Sequence, residues 1–197
     1  FINSIDIGSN AGHFTNMLSK ISKRVYSFEP INHLFESQKY LFKNSNVTNY
    51  KIALGSRKQN KKFYIPYNNE PEASLIKRKN SKVTKVFVNK GDNIIKKAKI
   101  SFVKIDVEGT EMNVLKGLKK IIKQNFPLFL IEIEKRHNKD FLSVFRFLDK
   151  YKYKIYYLDK KKMKLINLQI NKLKKFLKKN QVFSELGSEK YINNFFF

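Results

Sequence analysis

Ile5-Asp6-Ile7-Gly8-Ser9-Asn10-Ala11-Gly12-His13-Phe14-Thr15 is the stretch on which the reading of this chain turns. An apolar run from Ile2 carries one acid, Asp6, and then gives way to small residues. Phe14, Met17, Leu18 and Ile21 follow at helical spacing, which predicts a helix over 12–22. A strand, a tight turn and a helix start, in that order, cradle nucleotide-like cofactors. Gly8 and Gly12 allow the backbone to approach a ligand closely. Asp6 suits a ligand with a cationic or N–H-bearing head and would repel a pyrophosphate. The spacing also lacks the Gly-x-Gly-x-x-Gly fingerprint, which disfavours an NAD dehydrogenase.

Beyond this stretch, strands and helices alternate. Arg24–Glu29 reads as a second strand stopped by Pro30, and Leu34, Phe35, Gln38, Leu41 and Phe42 trace a helix. Val47–Leu54 is expected as one third strand. Residues 56–100 read as a small antiparallel excursion, with strands at 61–66 and 83–88 around a polar loop at 68–72 and a short helix at 92–97. Ile100–Val107 is almost wholly apolar, as a strand covered on both faces should be. A helix follows from Gly109 through Ile122, then a fifth strand at 128–133 and a helix from Phe141 to Tyr151. A sixth strand at 154–158, a hairpin partner at 164–168, a helix around Leu173–Leu177 and a closing aromatic strand complete the pattern. Alternation of this kind predicts a parallel α/β sheet with helices on both faces. The chain is expected to be one domain over 1–197, cut at both ends, since both termini fall in strand-like sequence.

Composition narrows the function classes. The chain has no cysteine, which excludes thiolate metal sites and cysteine nucleophiles. No apolar run approaches the ~20 residues of a membrane span and no signal peptide is visible, so the expected location is the cytoplasm. Net charge is +25, which points to a polyanion: nucleic acid, anionic lipid or acidic glycan. Yet 36 of the 41 basic residues are lysine, whereas phosphate recognition favours arginine's planar fork. Lys, Asn, Ile and Phe enrichment is also what compositional drift toward AT-rich codons produces.

Parallel sheets bind ligands outside the carboxyl ends of their strands. Acids stand at most of those ends here: Asp6, Glu29, the pair Asp106 and Glu108, and the pair Glu132 and Glu134. A carboxylate at Glu29 can accept hydrogen bonds from a ribose diol and disfavours a 2′-phosphate. Ala53 and Leu54, before Gly55, offer small apolar groups to an adenine ring. Asp106 and Glu108 share a side by strand alternation. Helix capping accounts for Glu108 or Glu111 but not for an acid, Asp106, within an apolar strand.

Together Asp6–Gly12, Phe28-Glu29-Pro30, Ala53-Leu54-Gly55 and Lys104-Ile105-Asp106-Val107-Glu108-Gly109-Thr110-Glu111 resemble the FkbM family of S-adenosylmethionine-dependent methyltransferases. Leu115-Lys116-Gly117 and Ile131-Glu132-Ile133 continue the likeness. The resemblance implies a Rossmann-like, seven-stranded class I methyltransferase sheet of order 3-2-1-4-5-7-6, its seventh strand antiparallel. It implies that S-adenosyl-L-methionine is held by Asp6, Gly8, Asn10, Gly12, Glu29, Pro30, Ala53, Leu54 and Asp106. Asn10 stands where many methyltransferases have glycine.

The same resemblance implies O-methylation of a small-molecule or glycan hydroxyl on a sugar, glycolipid or secondary metabolite. The sulfonium is already electrophilic, so the protein must align the nucleophile and take its proton. Glu132, Glu108 and His137 are the candidate bases, Glu132 first. His137 lies in Lys135-Arg136-His137-Asn138, which reads as a solvated loop, and His13 as a surface residue opening a helix. No metal is expected. Loops 56–100 and 134–140 are expected to form the acceptor pocket. Two rivals remain: an RNA methyltransferase, without the Asn-Pro-Pro-Tyr type of motif used on base amines, and a non-catalytic basic protein that keeps the cofactor pocket. Calorimetry should show S-adenosylhomocysteine binding and no NAD binding; the reverse result would overturn the reading.

Overall fold

The computed structural model describes residues 1–137 and 140–197; Asn138, named above with the loop, lies outside them, as does Lys139. The apolar run opens as β1 (Asn3–Ile7), and α1 (His13–Ile21) follows the glycine turn. Next come β2 (Arg24–Phe28) and α2 (Asn32–Leu41). The expected third strand breaks in two: β3 (Val47–Tyr50) joins the main sheet, and β4 (Ala53–Leu54) joins another. The strand stops at Tyr50, and Lys51 and Ile52 lead the chain from the main sheet into the smaller one. The excursion holds β5 (Gln59–Pro66), a 3-10 turn at Glu70–Glu72, β6 (Ser81–Asn89) and α3 (Gly91–Ile94). β5 and β6 pair antiparallel over eight residues each, and β4 lies parallel to β6.

The main sheet resumes with β7 (Phe102–Ile105). The helix expected from Gly109 to Ile122 is two short helices, α4 (Glu111–Gly117) and α5 (Lys119–Asn125), hinged at Leu118. Then come β8 (Leu128–Glu132), α6 (Leu142–Asp149), β9 (Ile155–Asp159), β10 (Lys164–Leu168), α7 (Leu173–Asn180) and β11 (Asn194–Phe196).

The eight-stranded sheet runs β10-β9-β11-β8-β7-β1-β2-β3. Counting only the seven expected strands, this is the order 3-2-1-4-5-7-6, with β10 added outside as an antiparallel eighth. β11 is antiparallel to both β8 and β9, as the last strand of a class I methyltransferase should be. The fold is therefore the Rossmann-like α/β class that the motifs implied.

The largest core cluster joins Ile5, Ile7, Val103, Ile105, Phe129 and Ile131 on the central strands to Leu115, Leu118 and Ile122 of α4, α5 and the joint between them, Phe145 of α6 and Phe195 of β11. Leu18, Val25, Phe102 and Leu130 form a separate cluster. At roughly 1.5–3 kcal/mol for each large apolar side chain buried, this layer dominates the favourable side of folding. No helix among the described residues is long and apolar enough to cross a membrane.

Gly117 is the tightest joint between the excursion and the main layer. A Cβ there would stand 2.1 Å from the Gly55 carbonyl oxygen. Neither backbone can yield without parting α4 from β4. Gly117→Ala should lower unfolding stability by about 1–3 kcal/mol in a urea titration. Gly187→Ala serves as control: its φ of 79° strains the new side chain, but nothing lies within 4 Å of it. Equal, small losses at both positions would refute the joint.

Candidate active site

Close backbone packing sets the site's first dimension. Gly8 has φ 76°, and a Cβ on it would stand 1.8 Å from the Asp106 carbonyl oxygen. The Asp106 N–H donates to the Ile7 carbonyl at 2.9 Å, so β1 and β7 stay hydrogen-bonded to their last residues. Only glycine fits at that approach. Gly12, with φ 85°, instead faces Phe42 and Gln38, at 3.0 and 3.1 Å from a notional Cβ. It serves the packing of the turn on α2 and does not line the cleft.

A cleft opens beside the turn, with about 540 Å³ of empty space including its mouth. Gly8, Asn10, Glu29, Pro30, Ala53, Leu54 and Asp106, all named from the sequence, line it. Ile31, Phe63 and Leu75 add apolar walls that the motifs did not reveal. Asp6 is on none of them. It is fully buried beneath the turn, where Oδ2 accepts a hydrogen bond from the Thr15 hydroxyl at 2.6 Å. The expectation that Asp6 meets the ligand directly therefore needs correcting. Burial raises its carboxyl above the ordinary range, opposed by the Lys104 charge and the Thr15 hydroxyl. It shapes the turn from below.

A buried polar cluster supports the same turn. Gln38 Oε1 accepts from the Ser27 hydroxyl at 2.7 Å, and Gln38 Nε2 donates to Ser9 Oγ at 2.9 Å and to the Asn10 carbonyl. Each of these groups would be costly to bury alone, so together they hold the loop in one shape.

Glu29 is held in place by backbone donors on both sides. One carboxylate oxygen accepts the Asn10 N–H and the other the Ile31 N–H, each at 2.8 Å. Each oxygen keeps a lone pair for a further donor. Burial pushes this carboxyl up to about 7, against the two backbone hydrogen bonds.

Beyond β7 the chain turns, and Glu108 adopts φ 53°. Asp106 and Glu108 both face the cleft because of this turn, not because of strand alternation. Carboxylate oxygens of Asp106, Glu108 and Glu132 lie within 4.8 Å of one another, a spacing at which a cation could also be held. Lys104 supplies positive charge from below, its Nζ 3.0 Å from Asp106 Oδ2 and 4.0 Å from Asp6 Oδ1. Burial, then the Asp106 charge, pushes both Glu108 and Glu132 up to about 8. Burial acts the same way on Glu134, but the close approach of His137 and the hydrogen bonds from Arg136 and Asn193 outweigh it and hold that carboxyl at about 2.

His137 is not a solvated loop residue. Its side chain is 3% exposed, with Nε2 3.1 Å from Glu108 and 3.2 Å from Glu134. Neither contact is aligned well enough for a full hydrogen bond. Arg78, from the excursion, reaches its Nδ1 at 2.5 Å. Arg136 joins Glu134 to Glu72 of the excursion. Arg78 and Arg136 thus tie the excursion to the segment after β8. His13 is exposed at the start of α1, as expected.

A glycine turn on the first strand, a carboxylate held by two backbone N–H groups after the second and an acidic exit from the fourth meet at the carboxyl ends of a sheet of class I methyltransferase order. The chain belongs to the methyltransferase FkbM domain family, which matches residues 6–155. Domains of this family take their methyl group from S-adenosyl-L-methionine. No curated protein matches the chain. Among solved structures, the FkbM methyltransferase of Methylobacillus flagellatus KT superposes with TM-score 0.55 at 18% identity, over 75% of this chain and 36% of that one. This chain thus spans about a third of that protein's length. A Streptococcus mutans protein crystallised in complex with SAH aligns at TM-score 0.48 and 14% identity, over 76% and 73% of the two chains. At these identities the likeness is one of fold.

The residues present fit this cofactor: a dual acceptor at Glu29, apolar walls for a base, and an anionic wall at Asp106. Because an ionised Glu29 is the better acceptor for ribose hydroxyls, affinity for S-adenosylhomocysteine should fall as pH drops below about 7. Glu29→Gln should weaken binding roughly tenfold above that pH and flatten the dependence. Calorimetry across this range checks it; an unchanged affinity would remove Glu29 from the site.

Proposed function

We propose that this domain transfers a methyl group from S-adenosyl-L-methionine to a hydroxyl oxygen, the acceptor being a sugar, a glycolipid or a secondary metabolite. The observation that carries the reading is the convergence of Asp106, Glu108 and Glu132 beside a cleft lined by Gly8 and Glu29. The bound cofactor supplies an electrophilic methyl on a sulfonium. The protein's own task is to hold the acceptor in line and remove its proton.

Glu29 takes the ribose hydroxyls, and Asp106 faces the cationic part of the cofactor. Glu132 is the base. Its Oε1 accepts from Asn193 Nδ2 at 2.6 Å, which fixes the carboxylate's orientation. Glu108 and Glu132 titrate as neighbours, each pushed up to about 8, so this patch carries a proton at neutral pH and loses it on mild alkalinisation. A base poised near working pH is the efficient kind.

His137 takes a different role. Arginine only donates, so the Arg78 contact makes Nδ1 the acceptor and leaves Nε2 facing both Glu108 and Glu134. The ring spaces these two carboxylates rather than accepting the substrate's proton. Residues 1–197 belong to one methyltransferase domain, a reading supported by a core cluster that runs from Ile5 to Phe197, and we place its action in the cytoplasm.

Turnover, read as label passing from tritiated cofactor into a glycan or glycolipid pool, should rise as pH passes through about 8, because the base must be ionised. Glu132→Gln should cut turnover by ~100-fold or more, with S-adenosylhomocysteine affinity unchanged. Full turnover in that variant would dismiss Glu132 as base.

A further inference from the structure

The lysine excess is unevenly placed. Residues 160–179 hold nine lysines and no aspartate or glutamate, and all nine lysines are exposed. They occupy the β9–β10 turn, β10 and α7, at one edge of the sheet. The methyl-transfer reading gives this concentration no task.

Topology sets part of this charge beside the active site. β11 is antiparallel to both β8 and β9, so β9 runs parallel to β8. The β9–β10 turn therefore rises from the rim on which Glu132 and Glu134 stand. Phe195 pairs with Ile131 on one side and Tyr157 on the other, so the strands are level there. Two strand spacings, ~10 Å in all, separate the turn from Glu132. Lys160 and Asn193 line one groove, and Asn193 donates to both Glu132 and Glu134.

The turn is built to present its side chains outward. Asp159 Oδ1 accepts the backbone N–H groups of Lys161 and Lys162, each at 3.1 Å, which folds the chain over that carboxylate. Met163, at φ 48°, closes the turn directly before β10 and is 75% exposed. Leu165 behind it is 54% exposed. Val182 and Leu186, exposed beyond the end of α7, extend the apolar character along the rim.

Exposed aliphatic side chains flanked by exposed lysines match one kind of partner. Nucleic acids are gripped by arginine and by exposed aromatic platforms. The chain has no arginine after Arg146, and Tyr157 and Phe176 at this edge pack tilted against each other, half-buried. Anionic bilayers are bound by lysines at the headgroups together with aliphatic groups among the acyl chains.

We propose that the β9–β10 turn docks the domain on an anionic lipid bilayer, with Met163 and Leu165 entering the interface and Lys160, Lys161, Lys162 and Lys164 meeting the headgroups. Docking this way lays the Glu132 rim against the membrane, where a lipid-linked acceptor would be presented. The docking stands apart from methyl transfer, because it needs neither cofactor nor acceptor.

Vesicle co-sedimentation of the whole chain tests it, with phosphatidylglycerol–phosphatidylcholine vesicles against pure phosphatidylcholine. Binding should be confined to the anionic vesicles. Joint Lys160→Gln, Lys161→Gln and Lys162→Gln should weaken it by ~100-fold, at about fivefold per lysine. Met163→Asp should weaken it at least ~10-fold, the loss expected for one buried apolar side chain. All four side chains are exposed, so both variants should keep their circular dichroism and their S-adenosylhomocysteine affinity. Equal binding to neutral vesicles, no binding to either kind, or full binding by the variants would overturn the proposal. So would a mixed-sequence RNA that strips wild type from the vesicles and binds Met163→Asp as tightly as wild type. Vesicle binding without any affinity for S-adenosylhomocysteine would leave the docking standing and remove the methyl-transfer reading instead.

Discussion

One ammonium group holds the catalytic rim together. Lys104 sits on the central strand β7 with its charge between Asp106 and Asp6, and its side chain is only 12% exposed. The Phe14 ring lies 5.3 Å from that charge and shields it further. Burial alone would lower the lysine's pKa, but the two carboxylates outweigh burial and raise it, so it stays protonated. A buried pair of this kind adds little net stability, yet losing one member strands a charge in a dry place. Without Lys104, Asp6 and Asp106 would repel each other across the joint where Gly8 passes under a carbonyl. The turn and the acidic exit are thus one electrostatic unit, although almost a hundred residues separate them in the chain.

Much of the fold could be read from periodicity, because the parallel strands are short apolar runs with helices of clear 3.6-residue pattern between them. Where periodicity misled, tertiary geometry decided. The run 47–54 looks like one strand, since it holds no proline or glycine to mark the departure at Lys51. The helix after Gly109 keeps an apolar face through Ile122 but breaks at Leu118, where Gly117 presses on the Gly55 carbonyl. That pressure depends on a residue some sixty positions earlier, so no local pattern encodes it.

The site divides in the same way. Gly8, Glu29 and Asp106 were legible because they stand at strand ends, where an acid or a glycine is conspicuous against apolar neighbours. Gln38 was legible only as a helix position, and its bonds to Ser9 and Ser27 join three separate elements. His137 seemed solvated among charged neighbours in sequence. It is buried because Arg78 arrives from the excursion, and Glu108 and Glu134 close on its other side. Asp6 was right in kind and wrong in direction: its alternation with Ile5 and Ile7 put it on the face under α1, where Thr15 was waiting.

The early exit of β3 has a consequence for life in a crowded cell. An open sheet margin carries unpaired amides that invite a strand from another molecule. Here that margin is four residues long, Val47 to Tyr50, before the chain swings away into the smaller sheet. At the other margin, β10 is five residues long, pairs antiparallel with β9 and opens on a lysine, Lys164. Neither side offers a long, uncharged template, so the layer that positions the chemistry is also guarded against growing into a fibril.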